Sequence, residues 1–270
     1  MPIGRALLYT ASLGALALCA RSLLMAPVPV GVAAAAITAY VALIVCGVLF
    51  LRLGMFVDVV WRGPPDARGV ALTFDDGPSP EHTPRVLDLL DRAGAKATFF
   101  VIGRKAEAHP ELVREIAARG HAIGLHSYAH DRLFSLRSAA AVEADLRRGA
   151  AALERITGAR PTLFRPPIGH TNPSIARAVA ALDLEVVGWS LRGLDGLAGA
   201  RPDRVAARVI PGLRDGEIVL LHDAAERDDH TPASLAALPR ILDAMSAKNL
   251  PGVRVDAWVD GEEDKAPAAT

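Results

Sequence analysis

Two adjacent carboxylates at the end of an apolar stretch are the first residues in this 270-residue chain that suggest chemistry. They are Asp75 and Asp76, in the segment VALTFDDGP that runs from Val70 to Pro78. Successive side chains on a strand point to opposite faces, so the two carboxylates are expected to have different roles. One can bind a metal ion while the other acts beside it as a base. An acidic turn is the alternative, because Asp-Gly-Pro is common in turns.

A pair of histidines is the second candidate for metal binding. His126 and His130, in HSYAH, are four residues apart and would meet on one face of a helical turn. With one carboxylate from another strand end they would form the two-His, one-carboxylate set of a catalytic zinc site. Such a metal lowers the pKa of bound water from 15.7 to about 7. Two solvent-facing histidines are the alternative.

Further charged residues suggest acid–base chemistry. If Asp76 binds the metal, Asp75 can accept a proton from the water. Arg165, in RPPIGH, can hold Asp75 ionised, or it can form a purely structural salt bridge. His222, in IVLLHD, can protonate a leaving group, or it can be a core histidine bonded to the backbone. The other histidines are predicted to be surface or loop residues, namely His82, His109, His121, His170 and His230.

These residues follow strand-like stretches in a region where strands and helices alternate. The predicted strands are Val70–Phe74, Ala97–Ile102, Ala122–His126, Thr162–Arg165, Leu184–Ser190, Glu217–His222 and Val253–Val259. The predicted helices are Pro84–Ala93, Pro110–Arg119, Ala139–Ile156, Ser174–Ala181, Asp203–Ile210 and Ser234–Ala247. This alternation over ~200 residues predicts a parallel sheet closed, or nearly closed, into a barrel. Functional groups of such barrels gather at the carboxyl ends of the strands, so the residues above should converge on one rim.

The first 55 residues differ from the rest and are predicted to anchor the chain in a membrane. The run from Val30 to Leu51 has no charge and is long enough to cross the ~30 Å hydrocarbon layer as a helix. A second apolar run, from Ala6 to Ala20, is followed by Arg21. We expect this run to be a spanning helix that forms a hairpin with the helix from Val30 to Leu51. The alternative is that the run from Ala6 to Ala20 is a signal-like segment. The charges do not decide which membrane face carries the soluble part.

The predicted divisions of the chain are a membrane anchor at 1–55, a linker at 56–65, a catalytic domain at 66–259 and a disordered acidic tail at 260–270. The formal net charge is +0, so no overall field favours nucleic acid as a partner. Both cysteines, Cys19 and Cys46, lie in the apolar region. Their position excludes a disulfide framework, a thiolate metal site and a cysteine nucleophile in the soluble part.

Five segments in this order resemble the polysaccharide deacetylase family, the NodB-like domain of carbohydrate esterase family 4. They are TFDDGP, HSYAH, RPPIG, the stretch from Trp189 to Asp195, and LLHD, and the resemblance covers the chain from about Val70 to Trp258. It implies an α/β fold, a distorted (β/α)7 barrel, with one divalent metal ion, usually Zn²⁺. The implied reaction is hydrolysis of an N-acetyl group on an amino sugar, or sometimes of an O-acetyl ester.

The resemblance also implies a role for each matching residue. These residues are the metal ligands Asp76, His126 and His130, the base Asp75, the residue Arg165 that positions this base, the acid His222, and Asp195 that braces the acid. The backbone N–H of Ile168 would stabilise an oxyanion, while Leu220 and Trp189 would line the substrate pocket.

The sequence departs from the family pattern at two positions. Ile168 stands where the family commonly has Tyr or another aromatic residue, which removes a sugar contact but keeps the backbone N–H. Gly196 stands where a Trp often follows the acidic residue, which predicts a more open acetyl pocket on that side.

Together these features predict a membrane-tethered, metal-dependent enzyme that removes N-acetyl groups from a cell-envelope polysaccharide such as peptidoglycan. Its expected partners are the N-acetylated oligo- or polysaccharide substrate and the lipid bilayer, without nucleic acid. A lipid-linked sugar precursor is the alternative substrate, especially on the inner membrane face. A carbohydrate-binding scaffold on the same fold is the alternative outside enzymes. A phosphatase is disfavoured, because Asp75 and Asp76 are adjacent and do not form a D-x-D-x-T pattern.

Overall fold

The computed structural model describes residues 1–259, and the predicted tail at 260–270 lies outside that range. The chain begins with two long apolar helices, α1 (Ile3–Leu24) and α2 (Val30–Leu49). Both are long and apolar enough to cross a membrane, by length and composition. They pack side by side, and the hydroxyl groups of Ser12 and Tyr40 lie 2.9 Å apart between them.

In the described range the strands form one eight-stranded parallel sheet. The strands are β1 (Val59–Val60), β2 (Ala71–Asp75), β3 (Ala97–Val101), β4 (Ala122–Leu125), β5 (Leu163–Phe164), β6 (Glu185–Val187), β7 (Leu191–Arg192) and β8 (Ile218–His222). Their order across the sheet is β1-β6-β5-β4-β3-β2-β8-β7. Because β7 continues β6 after residues 188–190 and pairs with β8, the sheet curls back on itself into a distorted barrel. The predicted α/β barrel fold is therefore confirmed.

Helices cover the outside of the curled sheet. They are α3 (Thr83–Arg92), α4 (Gly103–Ala108), α5 (Pro110–Ala118), α6 (Ala139–Thr157), α7 (Pro173–Ala181), α8 (Pro202–Val209) and α9 (Ser234–Ala247). The short α10 (Asp256–Val259) instead packs Trp258 and Val259 against residues inside the barrel. Alternation along β2 sends Leu72 and Phe74 to the core between sheet and helices, where Phe74 stacks on Phe99 with ring centroids 5.1 Å apart. Ala71 joins a second cluster, inside the barrel. The other face of each strand therefore points into the barrel, and its side chains nearest the barrel mouth can form the site.

The predicted strand Val253–Val259 is wrong, because its second half is helix α10. Val255 is buried in the cluster inside the barrel, and its N–H donates to the Thr98 hydroxyl at 3.0 Å. The alternating apolar pattern of this segment thus reflects burial against the barrel interior and not strand pairing. The two-residue strands β1 and β7 were not predicted, because two residues are too short for a periodic pattern.

Candidate active site

The turn after β2 directs both adjacent carboxylates toward one site. Asp75 is the last residue of β2, on the inner face with Thr73. Asp76 follows with a φ of 71°, in the left-handed region, so it leaves the strand's alternation. Its carboxylate Oδ1 lies 3.5 Å from His126 Nε2 and 3.2 Å from His130 Nε2. Strand alternation alone would have separated the two carboxylates, and the left-handed turn brings them together.

The two histidines come from the loop after β4 and not from the helical turn that their spacing suggested. Ser127 and His130 both have left-handed backbones, with φ values of 60° and 51°. The Ser127 hydroxyl accepts the N–H of His130 at 2.9 Å, which closes the loop. The imidazole rings of His126 and His130 consequently lie 4.9 Å apart, and both are buried.

The set formed by Asp76, His126 and His130 suits a divalent metal ion. One ligand atom from each of the three lies within 4.8 Å of the others. The N–H at His126 Nδ1 donates to the carbonyl oxygen of Arg165 at 2.8 Å, which leaves the Nε2 lone pair for a metal. Asp76 Oδ1 is buried and has no hydrogen-bond partner among residues 1–259. Two imidazoles and one carboxylate, with room for further ligands, are typical of catalytic zinc sites.

The electrostatics of this set favour an ionised carboxylate beside the histidines. Burial alone would raise the pKa of Asp76, yet the His126 and His130 imidazoles hold it well below its usual range. Burial alone would lower the pKa of His126, but the carboxylates of Asp75 and Asp76 raise it. Burial and the charge of His126 both lower the pKa of His130. A cation bound by Asp76, His126 and His130 would therefore contact an Asp76 carboxylate that is ionised.

Arg165 is fully buried and holds Asp75 from the side opposite the histidines. Its Nη1 donates to Asp75 Oδ1 at 2.8 Å and to the Thr73 hydroxyl at 2.7 Å. Its Nε and Nη2 donate to the carbonyl oxygens of Val187 and Gly188 at 3.2 and 2.7 Å. A buried cation with all these partners both orients and balances the Asp75 carboxylate. The predicted ion pair is therefore present, and it is tied to the barrel wall.

His222 ends β8 and pairs with Asp195 from the loop after β7. Its Nδ1 lies 3.2 Å from Asp195 Oδ1, and its backbone N–H donates to Asp195 Oδ2 at 2.7 Å. Burial alone would lower the pKa of His222, but Asp195, followed by Asp76 and Asp75, raises it to about 9. The imidazole is therefore protonated at neutral pH and can act as an acid. Asp195 thus lies where the resemblance implied.

The remaining predicted site residues lie around the same mouth. Leu220 is buried on the inner face of β8, two residues before His222. Trp189 packs against Gly169, where an added Cβ would lie 2.4 Å from the indole. Ile168 has a φ of 61° and a half-exposed side chain. At Gly196 an added Cβ would lie 2.9 Å from the His222 ring, so Gly196 packs directly against this imidazole.

Asp223 is a buried carboxylate of this region that the sequence analysis missed. Its Oδ2 accepts a hydrogen bond from the Thr83 hydroxyl, and an added Cβ at Gly77 would lie 2.4 Å from the same oxygen. Burial raises the pKa of Asp223 to about 7. Asp223 thus packs against Gly77, the residue that follows Asp76 in the turn after β2. Two sequence features could have indicated this contact, namely the acidic residue that follows His222 in LLHD and the glycine in DDGP.

The other histidines were predicted to be surface or loop residues, and His82 and His121 do lie in loops, but both are buried. His82 bonds to the hydroxyl groups of Ser79 and Thr231 at 3.3 and 3.1 Å. His121 Nδ1 accepts the N–H of Ala97 at 3.2 Å. Both histidines connect neighbouring segments of the barrel, which their sequence positions did not reveal.

Fold and site together define a parallel (β/α) barrel that brings a possible metal-ligand set, the ion pair of Asp75 and Arg165, and the pair of His222 and Asp195 together at the carboxyl ends of its strands. A family model described as polysaccharide deacetylase matches residues 62–187. A peptidoglycan-N-acetylglucosamine deacetylase of Bacillus cereus is 36% identical over 183 residues, which cover 67% of this chain and 84% of that protein. A chitooligosaccharide deacetylase of Bradyrhizobium is 39% identical over 158 residues, which cover 58% and 71% of the two chains.

A solved structure agrees with the sequence relatives. The crystal structure of the Bc1960 peptidoglycan N-acetylglucosamine deacetylase superposes with a TM-score of 0.69 at 30% identity, covering 74% of this chain and 92% of that one. The chain belongs to the polysaccharide deacetylase family, carbohydrate esterase family 4, as its motifs indicated. It is accordingly a hydrolase of carbon–nitrogen bonds other than peptide bonds.

Proposed function

We propose that this protein is a metal-dependent deacetylase that removes N-acetyl groups from amino sugars of a cell-envelope glycan such as peptidoglycan. The observation that carries the proposal is the meeting of Asp76, His126 and His130 with two pairs, Asp75–Arg165 and His222–Asp195, at one barrel mouth. Relatives named for peptidoglycan N-acetylglucosamine and for chitooligosaccharide support an N-acetylated sugar as substrate.

A divalent ion such as Zn²⁺, bound by Asp76, His126 and His130, would polarise the acetyl carbonyl and make water more acidic. Asp75 then accepts a proton from the attacking water, while Arg165 keeps this carboxylate ionised and oriented. The backbone N–H of Ile168 stabilises the negative charge that develops on the carbonyl oxygen. His222 donates its proton to the departing sugar nitrogen, with Asp195 holding the imidazole. The products are acetate and a free amine.

The substrate pocket in this proposal has an apolar wall for the acetyl methyl group. Leu220 is buried two residues before His222 on β8, and Trp189 packs against Gly169, in the loop that carries Ile168. An acetyl group on a sugar oxygen would meet the same wall and the same acid. An assay with O-acetylated and N-acetylated forms of one oligosaccharide therefore measures the preference between ester and amide.

The proposal includes a membrane anchor at residues 1–55. Helices α1 and α2 would span the bilayer as a hairpin, joined by the linker at residues 56–65 to the catalytic domain at 66–259. The support is their length, their composition and the exposure of their apolar side chains, such as Leu13 and Ile37. The linker includes β1, the edge strand that pairs with β6, so it is packed against the barrel.

The test compares the full chain before and after metal removal, and then two variants. We expect chelation to abolish deacetylation of N-acetylated oligosaccharides, and added Zn²⁺ to restore it. Asp75→Asn should lower kcat by about 10²-fold or more with its metal content unchanged, because proton transfer contributes 10²–10⁴-fold to such reactions. Asp243→Asn, an exposed carboxylate on α9, is the matched control and should keep full activity. Full turnover by Asp75→Asn would remove Asp75 as the base.

A further inference from the structure

The apolar N-terminal helices are attached to the barrel close to the active-site mouth. Leu51, just after α2, packs on Gly188, where an added Cβ would lie 3.1 Å from Leu51 Cδ2. The guanidinium group of Arg52 donates to the carbonyl oxygens of Trp189, at 2.9 Å, and Ser190. These contacts hold the anchor against the end of β6, where Trp189 lines the pocket.

A second contact joins the end of α2 to a loop beyond the strands. The carbonyl oxygen of Val48, in the last turn of α2, accepts the N–H of Thr171 at 3.2 Å. Thr171 lies in the loop after β5, three residues beyond Ile168. The last turn of α2 and the residues after it therefore contact segments that follow β5 and β6, near the loops that carry Ile168 and Trp189.

The rim of the mouth carries exposed aliphatic side chains. We call Leu133, Leu136, Ile168 and Leu197 the apolar rim; their exposed fractions are 61, 78, 50 and 62%. They lie in the loops after β4, β5 and β7, which share the carboxyl-end face of a parallel barrel. Among residues 56–259, the other exposed large apolar side chain is Trp61.

Trp61 adds the residue type that prefers a membrane–water boundary. Its ring lies between two guanidinium groups, 5.4 Å from that of Arg52 and 5.1 Å from that of Arg62. Tryptophan is enriched at the membrane–water interface, and arginine near the end of a spanning helix extends its charged group to that interface. Scattered single apolar residues need no explanation, but four on one rim, beside two apolar helices, indicate an apolar partner.

We propose that the apolar rim rests on the bilayer surface, and that the active site acts on an N-acetylated amino sugar carried by a membrane lipid. This inference rests on the proposed deacetylation and on the membrane anchor. A sugar attached to a lipid is held in the same plane as the mouth and needs to move only laterally to reach it. A wall polymer would have to enter between the rim and the bilayer.

The first experiment tests the position of the rim without using activity. The full chain, with Cys19→Ala and Cys46→Ala, receives a single cysteine by Leu136→Cys and a bimane label, in phosphatidylcholine–phosphatidylglycerol vesicles. Spin-labelled lipid should quench this label more than two-fold. The matched control is Ala159→Cys, in the exposed loop before β5, at the opposite end of the barrel, which should not be quenched. Equal fluorescence with and without spin-labelled lipid at position 136 would overturn the proposal.

The second experiment compares substrates for the Zn²⁺-loaded full chain in the same vesicles. One substrate is N-acetylglucosamine linked through phosphate to a polyprenyl lipid, and the other is soluble chitotetraose. We expect kcat/KM at least ten-fold higher for the lipid-linked sugar, and a ratio at least three-fold smaller in Leu136→Ser. A faster reaction with chitotetraose would overturn the lipid substrate and leave deacetylation in place. No acetate from either substrate would overturn the proposed function itself.

Discussion

The protonation state of a side chain in this site depends on its neighbours as well as on its own chemistry. His222 illustrates this, because burial and the neighbouring carboxylates act on its pKa in opposite directions. Asp195 is the nearest of these carboxylates, 3.2 Å from His222 Nδ1 and itself fully buried. In the proposed mechanism, the imidazole that donates a proton to the sugar nitrogen is therefore held in place by a residue from a different loop.

Asp195→Asn should move the alkaline limb of the pH profile to lower pH. With the charge of Asp195 removed, burial dominates, and the pKa of His222 falls from about 9 toward its usual value of about 6.5 or below. His222 then loses its proton as the pH rises through that lower value, so kcat/KM at pH 8 should fall roughly ten-fold or more, and less at pH 6. The measurement is kcat/KM against pH, with Asp203→Asn, an exposed carboxylate on α8, as control. An unmoved alkaline limb would contradict the pairing.

At the scale of elements, the loop between β8 and α9 lies beside His130, one of the proposed metal ligands. Arg104 of α4 donates to the carbonyl oxygen of Glu226 at 3.1 Å, and Lys105 donates to that of Ala225 at 2.7 Å. The Glu226 side chain is also held by Arg132, at 2.7 Å, and its Oε1 lies 3.8 Å from His130 Nδ1. This loop therefore places the Glu226 carboxylate beside Nδ1 of His130, while Nε2 of the same ring contacts Asp76.

Glu226→Gln should weaken metal binding. A carboxylate beside the outer nitrogen of a ligating histidine orients the ring and raises its basicity, and losing such a partner typically costs 10–100-fold in affinity or activity. The pair here is longer than a hydrogen bond, so we expect roughly the lower value, about ten-fold in Kd. Competition with a chromophoric chelator measures it. Asp229→Asn removes an exposed carboxylate from the same loop and should leave Kd unchanged, and an unchanged Kd in Glu226→Gln would argue against the role.

At the scale of the whole molecule, the apolar helices α1 and α2 are packed against the segment that connects them to the barrel. Arg5 reaches Asp58 at 3.1 Å, and Gly4 and Gly47 pack against Leu53 and Met55. At both glycines an added Cβ would lie within 3 Å of these neighbours, so the approach depends on the missing side chain. The helices and the linker are thus packed together.

Arg52→Gln should loosen this attachment. The guanidinium group donates to the carbonyl oxygens of Trp189 and Ser190, and hydrogen bonds from charged groups contribute about 1.5–3 kcal/mol. We expect amide hydrogen exchange over residues 51–62 and 188–190 to become several-fold faster, while β2 and β3 stay protected. Exchange by mass spectrometry on the full chain in detergent tests this. Arg21→Gln, at the far end of α1, is the matched control, and equal exchange in both variants would contradict the role of Arg52.

Much of the fold and most of the site followed from local pattern. Strands β2, β3, β4 and β8 are continuous apolar runs between helices with clear starts and stops, so their ends could be placed to within a residue or two. Residues just beyond those ends, such as Asp76 and His126, must then lie on one rim, because the strands are parallel. The apolar runs of α1 and α2 were equally evident. Each of these is a property of neighbouring residues.

The tertiary structure alone decided what depends on contacts between distant segments. The left-handed backbone at Asp76 turns two adjacent carboxylates into one site, and no periodicity reports that. Val255 is buried by the barrel interior, so its alternating pattern imitated a strand. The side of the barrel that faces α2 depends on the contact between Val48 and Thr171, which are 123 residues apart. Sequence periodicity records which residues are buried, whereas long-range packing determines what buries them.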